Sequence, residues 1–176
     1  MVNYSILRTE KLNTYGNIGG SLSHSFRDSY TPNANASLSK DNRVLLGSHC
    51  SSDVLNDIKN RINEITDKPR KNAVLAIEVL QTYSPNSKIP LEEWTKKNIE
   101  WLKSEFGEKN VISAVLHKDE TTPHIASYIV PEKNGKLNCR EILGGRVKMQ
   151  NLQDSYAKSM SVFKLQRGIR NSKAKH

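Results

Sequence analysis

The hydrophobic positions of this chain change period several times, and each change marks an expected element. Val2 to Arg8 is short, apolar and β-prone, which predicts a first strand. Lys11 to Gly20 is rich in Asn, Gly and Thr and reads as a loop, followed by a short helix holding Ser21 to Arg27. Tyr30 to Asn42 carries Pro32, Asn33, Asn35, Ser37, Ser39 and Asn42, the chemistry of a long surface loop. Ser51-Ser52-Asp53 can cap a helix, and Leu55, Ile58, Ile62 and Ile65 then recur on one helical face until the chain nears Pro69.

Ala73 to Gln81 is apolar on both faces, as a central strand would be. Pro90 suits the first turn of a helix that runs through Leu91, Trp94, Ile99, Leu102 and Phe106 to Gly107. Val111 to His117 and Ile125 to Val130 are two further strands, Asn134-Gly135 is a turn, and Gly144-Gly145 precedes a helix with Met149, Leu152, Tyr156, Met160 and Phe163 on one face. The order β, α, loop, α, β, α, β, β, α predicts one α+β domain over residues 1–176, with an antiparallel sheet, helices on one face and a basic tail from about residue 166.

Composition narrows the function. The 176 residues hold 27 Lys plus Arg against 18 Asp plus Glu, a formal net charge of +9, with 36% hydrophobic residues. A pI of about 9.6 favours a polyanionic partner over a neutral metabolite. Cys50 and Cys139 are too few and too far apart for a disulfide framework or a Cys-ligated zinc, so both are expected as free thiols. No apolar run reaches the length of a membrane-spanning helix and the first residues do not resemble a signal peptide, so the cytoplasm is the expected compartment.

The informative stretch is His117-Lys118-Asp119-Glu120-Thr121-Thr122-Pro123-His124. One strand ends at His117 and the next begins near His124. If they pair as a hairpin, two imidazoles meet at a sheet corner with Glu120 in reach, a donor set suited to manganese, zinc, nickel or cobalt. A polar turn whose histidines merely end strands fits the same spacing. Likewise His24 and Arg27, three apart on the expected helix, are either a functional pair or part of a solvated helix.

Together these residues resemble the Mob/Pre plasmid mobilisation and recombination proteins, the MobV class of conjugative relaxases. The resemblance is carried by His24-Ser25-Phe26-Arg27, the Asn-rich segment from Thr31 to Asn42, and the His-x-Asp-Glu-x-x-Pro-His run from His117 to His124, and it extends from Ile6 through Gly135 to Gly145 and on to Ser172 to His176. It implies an HUH endonuclease fold, a central antiparallel sheet with helices packed on it. It also implies nicking of one plasmid strand at an origin of transfer, covalent attachment to the 5′ phosphate, and later rejoining. Members are usually longer, with a C-terminal region for dimerisation or membrane association, so this chain is expected to be a catalytic domain with no membrane contact of its own. Relaxosome or coupling proteins are further implied partners.

For the site, the resemblance implies His24 as the attacking group, with Tyr4 and Tyr30 as alternatives, and Arg27 on a phosphate. His117 and His124 hold a divalent ion: manganese first, with zinc, nickel, cobalt or magnesium as alternatives. Glu120 is a metal ligand or acts on His24. The family's metal triad usually includes a His-hydrophobic-His pair, and here Ala126 stands in place of the second imidazole. Glu120, His176, water or DNA oxygens are left to complete the set. Ala126 also leaves open a protein that binds an origin without nicking it, and the metal corner alone would suit a phosphodiesterase of other substrates. Expected DNA contacts are Arg27, Asn33, Asn35, Asn42, Arg43, Lys71, Arg140, Arg146, Lys148 and Lys173, while Trp94 and Trp101 are expected to pack helices.

Overall fold

The computed structural model describes residues 1–169. Lys173, His176 and most of the expected basic tail lie outside the described residues. A six-stranded sheet forms the centre, built from β1 (Tyr4–Leu12), β2 (Arg43–Leu46), β3 (Ala76–Tyr83), β4 (Val111–His117), β5 (His124–Ile129) and, last in sequence among the described residues, Gln166–Arg167. The spatial order is β2-β4-β5-β3-β1 followed by Gln166–Arg167. Every pairing is antiparallel except the last, in which Tyr4 and Ser5 run parallel to Gln166 and Arg167. The start of the expected tail is therefore an edge strand of the sheet.

Helices cover both faces, where the sequence pointed to one. On one side α1 (Tyr15–Ser25) and α2 (Ser51–Ile65) bury Ile18, Leu22, Val54, Ile58 and Ile62 over Leu12, Ala76 and Tyr128. On the other, α3 (Leu91–Phe106), the short α4 (Cys139–Leu143) and α5 (Gly145–Met160) bury Trp94, Leu102, Leu152, Tyr156 and Met160 over Leu7, Ile77, Val79, Ile125 and Ile129. A strand apolar on both faces requires this cover, since each fully buried aliphatic side chain left in water would cost about 1.5–3 kcal/mol. Trp94 and Trp101 pack as expected, edge-on against Tyr83 and against Phe106 and Tyr156. Between β5 and α4, Asn134 and Gly135 turn a two-stranded ribbon, both with positive φ (53° and 75°), the conformation a two-residue hairpin turn needs.

The first helix starts earlier than its composition indicates. Gly16, Gly19 and Gly20 each weaken a helix by about 1 kcal/mol against alanine. Thr14 nonetheless caps it, its Oγ1 accepting from the Asn17 N–H at 3.0 Å, and the burial of Ile18 and Leu22 holds it down. At α2 the expected side-chain cap is missing: the N-cap is Cys50, without a side-chain hydrogen bond, and Ser51 donates instead to Asp28. The loop from Tyr30 to Asn42 is irregular apart from one short turn of helix at Ser39–Asp41.

Candidate active site

His117 and His124 are direct partners in the β4–β5 register, so the expected hairpin brings the two imidazoles to one sheet corner. His117 Nδ1 lies 2.9 Å from His124 Nε2. The remaining nitrogens face backbone carbonyls: His117 Nε2 is 2.7 Å from the Ser25 oxygen, and His124 Nδ1 is 3.3 Å from the Thr122 oxygen. A carbonyl only accepts, so the short contact to Ser25 puts the His117 proton on Nε2 and leaves the Nδ1 lone pair facing His124. Burial, and then the charge of His124, pushes the His117 imidazole down to about 4. Burial likewise lowers His124, against the pull of Glu120. With both rings neutral, His117 Nδ1 accepts from His124 Nε2–H, and His124 offers a lone pair on Nε2 once its proton moves to Nδ1 beside the Thr122 carbonyl.

That arrangement suits a shared Lewis acid. Two imidazole nitrogens 2.9 Å apart at one corner could face one divalent ion together. The carbonyls at Ser25 and Thr122 stand where outer partners would orient the imidazoles if these held an ion. Glu120 Oε1 lies 3.8 Å from His124 Nε2 and accepts from Arg27 Nη2 at 2.8 Å. Among the described residues no group of three His, Cys, Asp or Glu side chains is already gathered to hold a cation. Glu120 would join the histidines by exchanging its Arg27 contact. Ala126 lines the same cavity and offers no donor atom.

Arg27 is not on the helix with His24, as the spacing implied. The α1 helix ends at Ser25, and Arg27 sits past it with φ 58°, the left-handed conformation that usually takes glycine. Arg27 N–H donates to the His24 oxygen at 3.2 Å and Asp28 N–H to the Ser23 oxygen at 2.9 Å, closing the helix end. The turn aims the guanidinium at the β4–β5 connection. Its Nε and Nη2 donate to the two Asp119 oxygens at 2.8 and 2.7 Å, and Nη2 also reaches Glu120. The cost of a left-handed arginine, of order 1 kcal/mol, is offset by these charge-assisted bonds.

Asp119 is the hub of this corner, and the sequence reading did not single it out. Besides Arg27 it accepts from Ser39 Oγ and from Asn42 Nδ2, each at 2.8 Å. Burial opposes its charge, but the hydrogen bonds from Arg27, Asn42 and Ser39 outweigh it and hold the carboxyl well below the usual carboxylate range. Asn42 also accepts from the Lys118 N–H at 2.8 Å, so its amide bridges loop and hairpin. Asn35 N–H donates to the Asp119 backbone oxygen at 2.7 Å, while its side chain accepts from Ser37.

A cavity of about 530 Å³ opens over the corner, lined by His24, Ser25, Asn33, Glu78, His117, Glu120, His124 and Ala126 among others. His24, in the last turn of α1, is exposed on its wall. Neither Tyr4 nor Tyr30 is among the described residues that line it, and Tyr30 is 89% exposed. Glu78 is a further carboxylate the sequence reading missed. Burial pushes its carboxyl up, while the Ser21 hydroxyl and the nearby His24 pull it down. The signal was available: Glu78 is a lone charge in the apolar run from Ala73 to Leu80.

The chain as a whole has relatives. A family model described as plasmid recombination enzyme matches residues 1–176. The chain belongs to that family. It is 39% identical, over its whole length, to a 65 kDa protein of Zymomonas mobilis, and 33% identical, over 99% of its length, to a plasmid recombination enzyme of Streptococcus agalactiae. The chain spans 32% and 38% of those proteins. In structure it matches the MobM relaxase domain, of the MOBV class, in a Mn-bound crystal structure with plasmid pMV158 oriT DNA. The TM-score is 0.86 at 31% identity, covering 98% of this chain and 94% of that one. The expected resemblance and the HUH-type relaxase fold are thus borne out.

The other expected DNA contacts scatter. Arg43 pairs with Glu92, Lys148 with Glu141, and Lys71, Arg140 and Arg146 are exposed. At the end of the sheet opposite the histidines, a cleft of about 760 Å³ is lined by Lys11, Lys68, Arg70, Lys136 and Arg140, with no carboxylate among its lining residues. Among the described residues no helix is long and apolar enough to cross a membrane.

Proposed function

We propose that this domain nicks one strand of plasmid DNA at an origin of transfer, with His24 as the attacking group, and rejoins the strand later. The observation that carries the reading is the convergence of His24, His117, His124 and Glu120 on one cavity, in a chain similar to a relaxase domain that binds manganese and origin DNA. His117, His124 and Glu120 would hold the divalent ion, manganese first, which when bound polarises the non-bridging oxygens of the scissile phosphate.

The rest is done by the chain's own groups. A ring nitrogen of His24 bonds to phosphorus as the bond to the 3′ oxygen breaks, and the electron pair leaves on that oxygen, which takes a proton from water. The other ring nitrogen sheds its proton to water, in a cavity that Glu78 also lines. The resulting phosphorus–nitrogen bond keeps enough energy for a free 3′ hydroxyl to reverse the step without ATP. Arg27 stays on Asp119 and holds Glu120 until that carboxylate turns to the ion, which frees part of the guanidinium to touch a phosphate.

Supercoiled plasmid carrying the cognate origin, incubated with the protein and manganese, is expected to relax with protein on the 5′ end, and a chelator is expected to stop it. Tight binding without a nick would instead mark an origin-binding protein. Release of free ends without an adduct would mark an ordinary phosphodiesterase.

DNA affinity rests on phosphate contacts, and the basic cleft supplies some of them at a distance from the nick. Replacing Lys68, Arg70, Lys136 and Arg140 together with alanine is expected to weaken origin binding at least about tenfold near 0.1 M salt and to flatten its salt dependence. The nicking rate of bound DNA should stay within about twofold. Fluorescence anisotropy over a salt series checks this, and an unchanged slope would remove the cleft from the DNA path.

A further inference from the structure

Behind the cavity wall a chain of hydroxyls joins α1 to the sheet. Ser21 Oγ donates to Glu78 Oε2 at 2.7 Å and lies 2.8 Å from the Tyr128 hydroxyl. The Tyr128 hydroxyl lies 2.7 Å from Ser25 Oγ. Each hydroxyl has one proton, and an ionised Glu78 only accepts. The directions follow: Ser25 donates to Tyr128, Tyr128 to Ser21, and Ser21 to Glu78. Tyr128 is fully buried on β5, four residues after His124 on the same face of the sheet, and takes both serines of one helical face, Ser21 and Ser25.

Ser25 is also the residue whose carbonyl receives the His117 Nε2–H at 2.7 Å, and it directly follows His24. One turn of helix thus carries the attacking imidazole, the carbonyl that fixes a ligand's tautomer, and a hydroxyl clamped by Tyr128. Backbone bonds close the end of this helix, with Phe26 N–H on the Leu22 oxygen at 2.8 Å, so what the hydroxyl clamp adds is the placement of this turn against the sheet.

We propose that Tyr128 is a positioning residue: by clamping Ser21 and Ser25 it sets the last turn of α1, aims His24 over the sheet corner, and keeps the His117 Nδ1 lone pair turned towards His124 and the ion. The inference rests on the nicking reading for its consequence, and on hydrogen-bond geometry alone for its cause. Tyr128→Phe keeps the ring and removes only the clamp. Without it the Ser25 carbonyl is free to shift, and His117 can populate the tautomer protonated on Nδ1, which cannot ligate.

The test uses the protein without DNA first. Nitrogen-15 NMR of the histidine side chains in the metal-free protein is expected to show His117 protonated on Nε2 in the parent and a mixture of tautomers in Tyr128→Phe. Manganese affinity, by calorimetry or electron paramagnetic resonance, should fall about tenfold, the usual lower range for losing an outer partner of a ligand. With origin DNA, kcat should fall about tenfold while the DNA Kd stays within about twofold.

Tyr156→Phe is the control. Tyr156 is equally buried on the other side of the sheet, where its hydroxyl donates to Asn98 at 2.8 Å. It should lower Tm without moving the His117 signature or manganese affinity. If Tyr128→Phe does not fold, Ser25→Ala, which removes one arm of the clamp, is expected to show the same tautomer change at reduced size. An unchanged His117 spectrum and unchanged manganese affinity in the folded variant would overturn the proposal, as would an equal loss in Tyr156→Phe. If the parent protein fails to nick any origin, the NMR and metal readings still decide the clamp.

Discussion

His24→Ala is expected to cut nicking and covalent attachment at least about a thousand-fold, because the other two imidazoles of the cavity, His117 and His124, have their nitrogens turned to each other and to the carbonyls at Ser25 and Thr122. The side chain is exposed on the cavity wall. What His24 contributes to the helix end is its backbone carbonyl, which accepts from Arg27 Nη1 at 3.0 Å and survives the change. Folding and metal binding should therefore be near normal, and origin affinity should stay within about tenfold. Trapped adducts on a labelled origin oligonucleotide, resolved on a denaturing gel, give the measurement. Tyr4→Phe and Tyr30→Phe should leave the adduct intact. An adduct that persists in His24→Ala and disappears in Tyr30→Phe would assign the chemistry to a tyrosine instead.

The site is only partly legible in the sequence, for physical reasons that differ from residue to residue. His117 and His124 can be paired on paper because a short polar connection between two apolar strands implies a hairpin, and a hairpin puts its ends in register. β4 itself starts and stops where its apolar run does. The start of α1 cannot be read, because three glycines in six residues argue against the helix, and only tertiary burial of Ile18 and Leu22 decides in its favour. Arg27 cannot be read either. Its role depends on a left-handed turn that a non-glycine residue enters only because Asp119 and Glu120 wait on the far side. A second layer of helices follows from the two-sided apolar strand, although the element order by itself suggests one layer.

Sequence spacing also does not show the structural part played by the Asn-rich loop. Amides in an irregular segment suit base edges, yet Asn42 has both ends of its amide committed, to Asp119 and to the Lys118 N–H. The loop from Tyr30 to Asn42 is therefore tied to the hairpin that carries the histidines. Asn33, on the cavity wall, keeps the position from which a base or phosphate could be met. Loop, helix end and hairpin converge on one carboxylate, which makes that carboxylate the structural counterpart of the chemistry beside it.

Asp119→Ala is accordingly expected to be the most destabilising single change at the corner, by about 3–5 kcal/mol, the range for removing one partner of a buried ion pair. The Asp119 side chain has no solvent exposure, and that of Arg27 is 13% exposed. Alanine leaves the guanidinium with Glu120 alone and deprives Ser39 and Asn42 of their acceptor. For a chain of this size the loss corresponds to a fall in Tm of roughly 10 °C. Arg27→Ala should cost a similar amount, less whatever is regained by relieving the left-handed turn. The double variant should be much less destabilised than the sum of the two, because each single change strands the other's charge. Manganese affinity should fall in Asp119→Ala even at temperatures where the protein stays folded, since an Arg27 released from Asp119 holds Glu120 more tightly and competes with the ion for it. Thermal and denaturant unfolding of the three variants settles the energetic part. Additive losses, or a cost for Asp119→Ala below about 1 kcal/mol, would mean that the corner is held by its packing and not by this carboxylate.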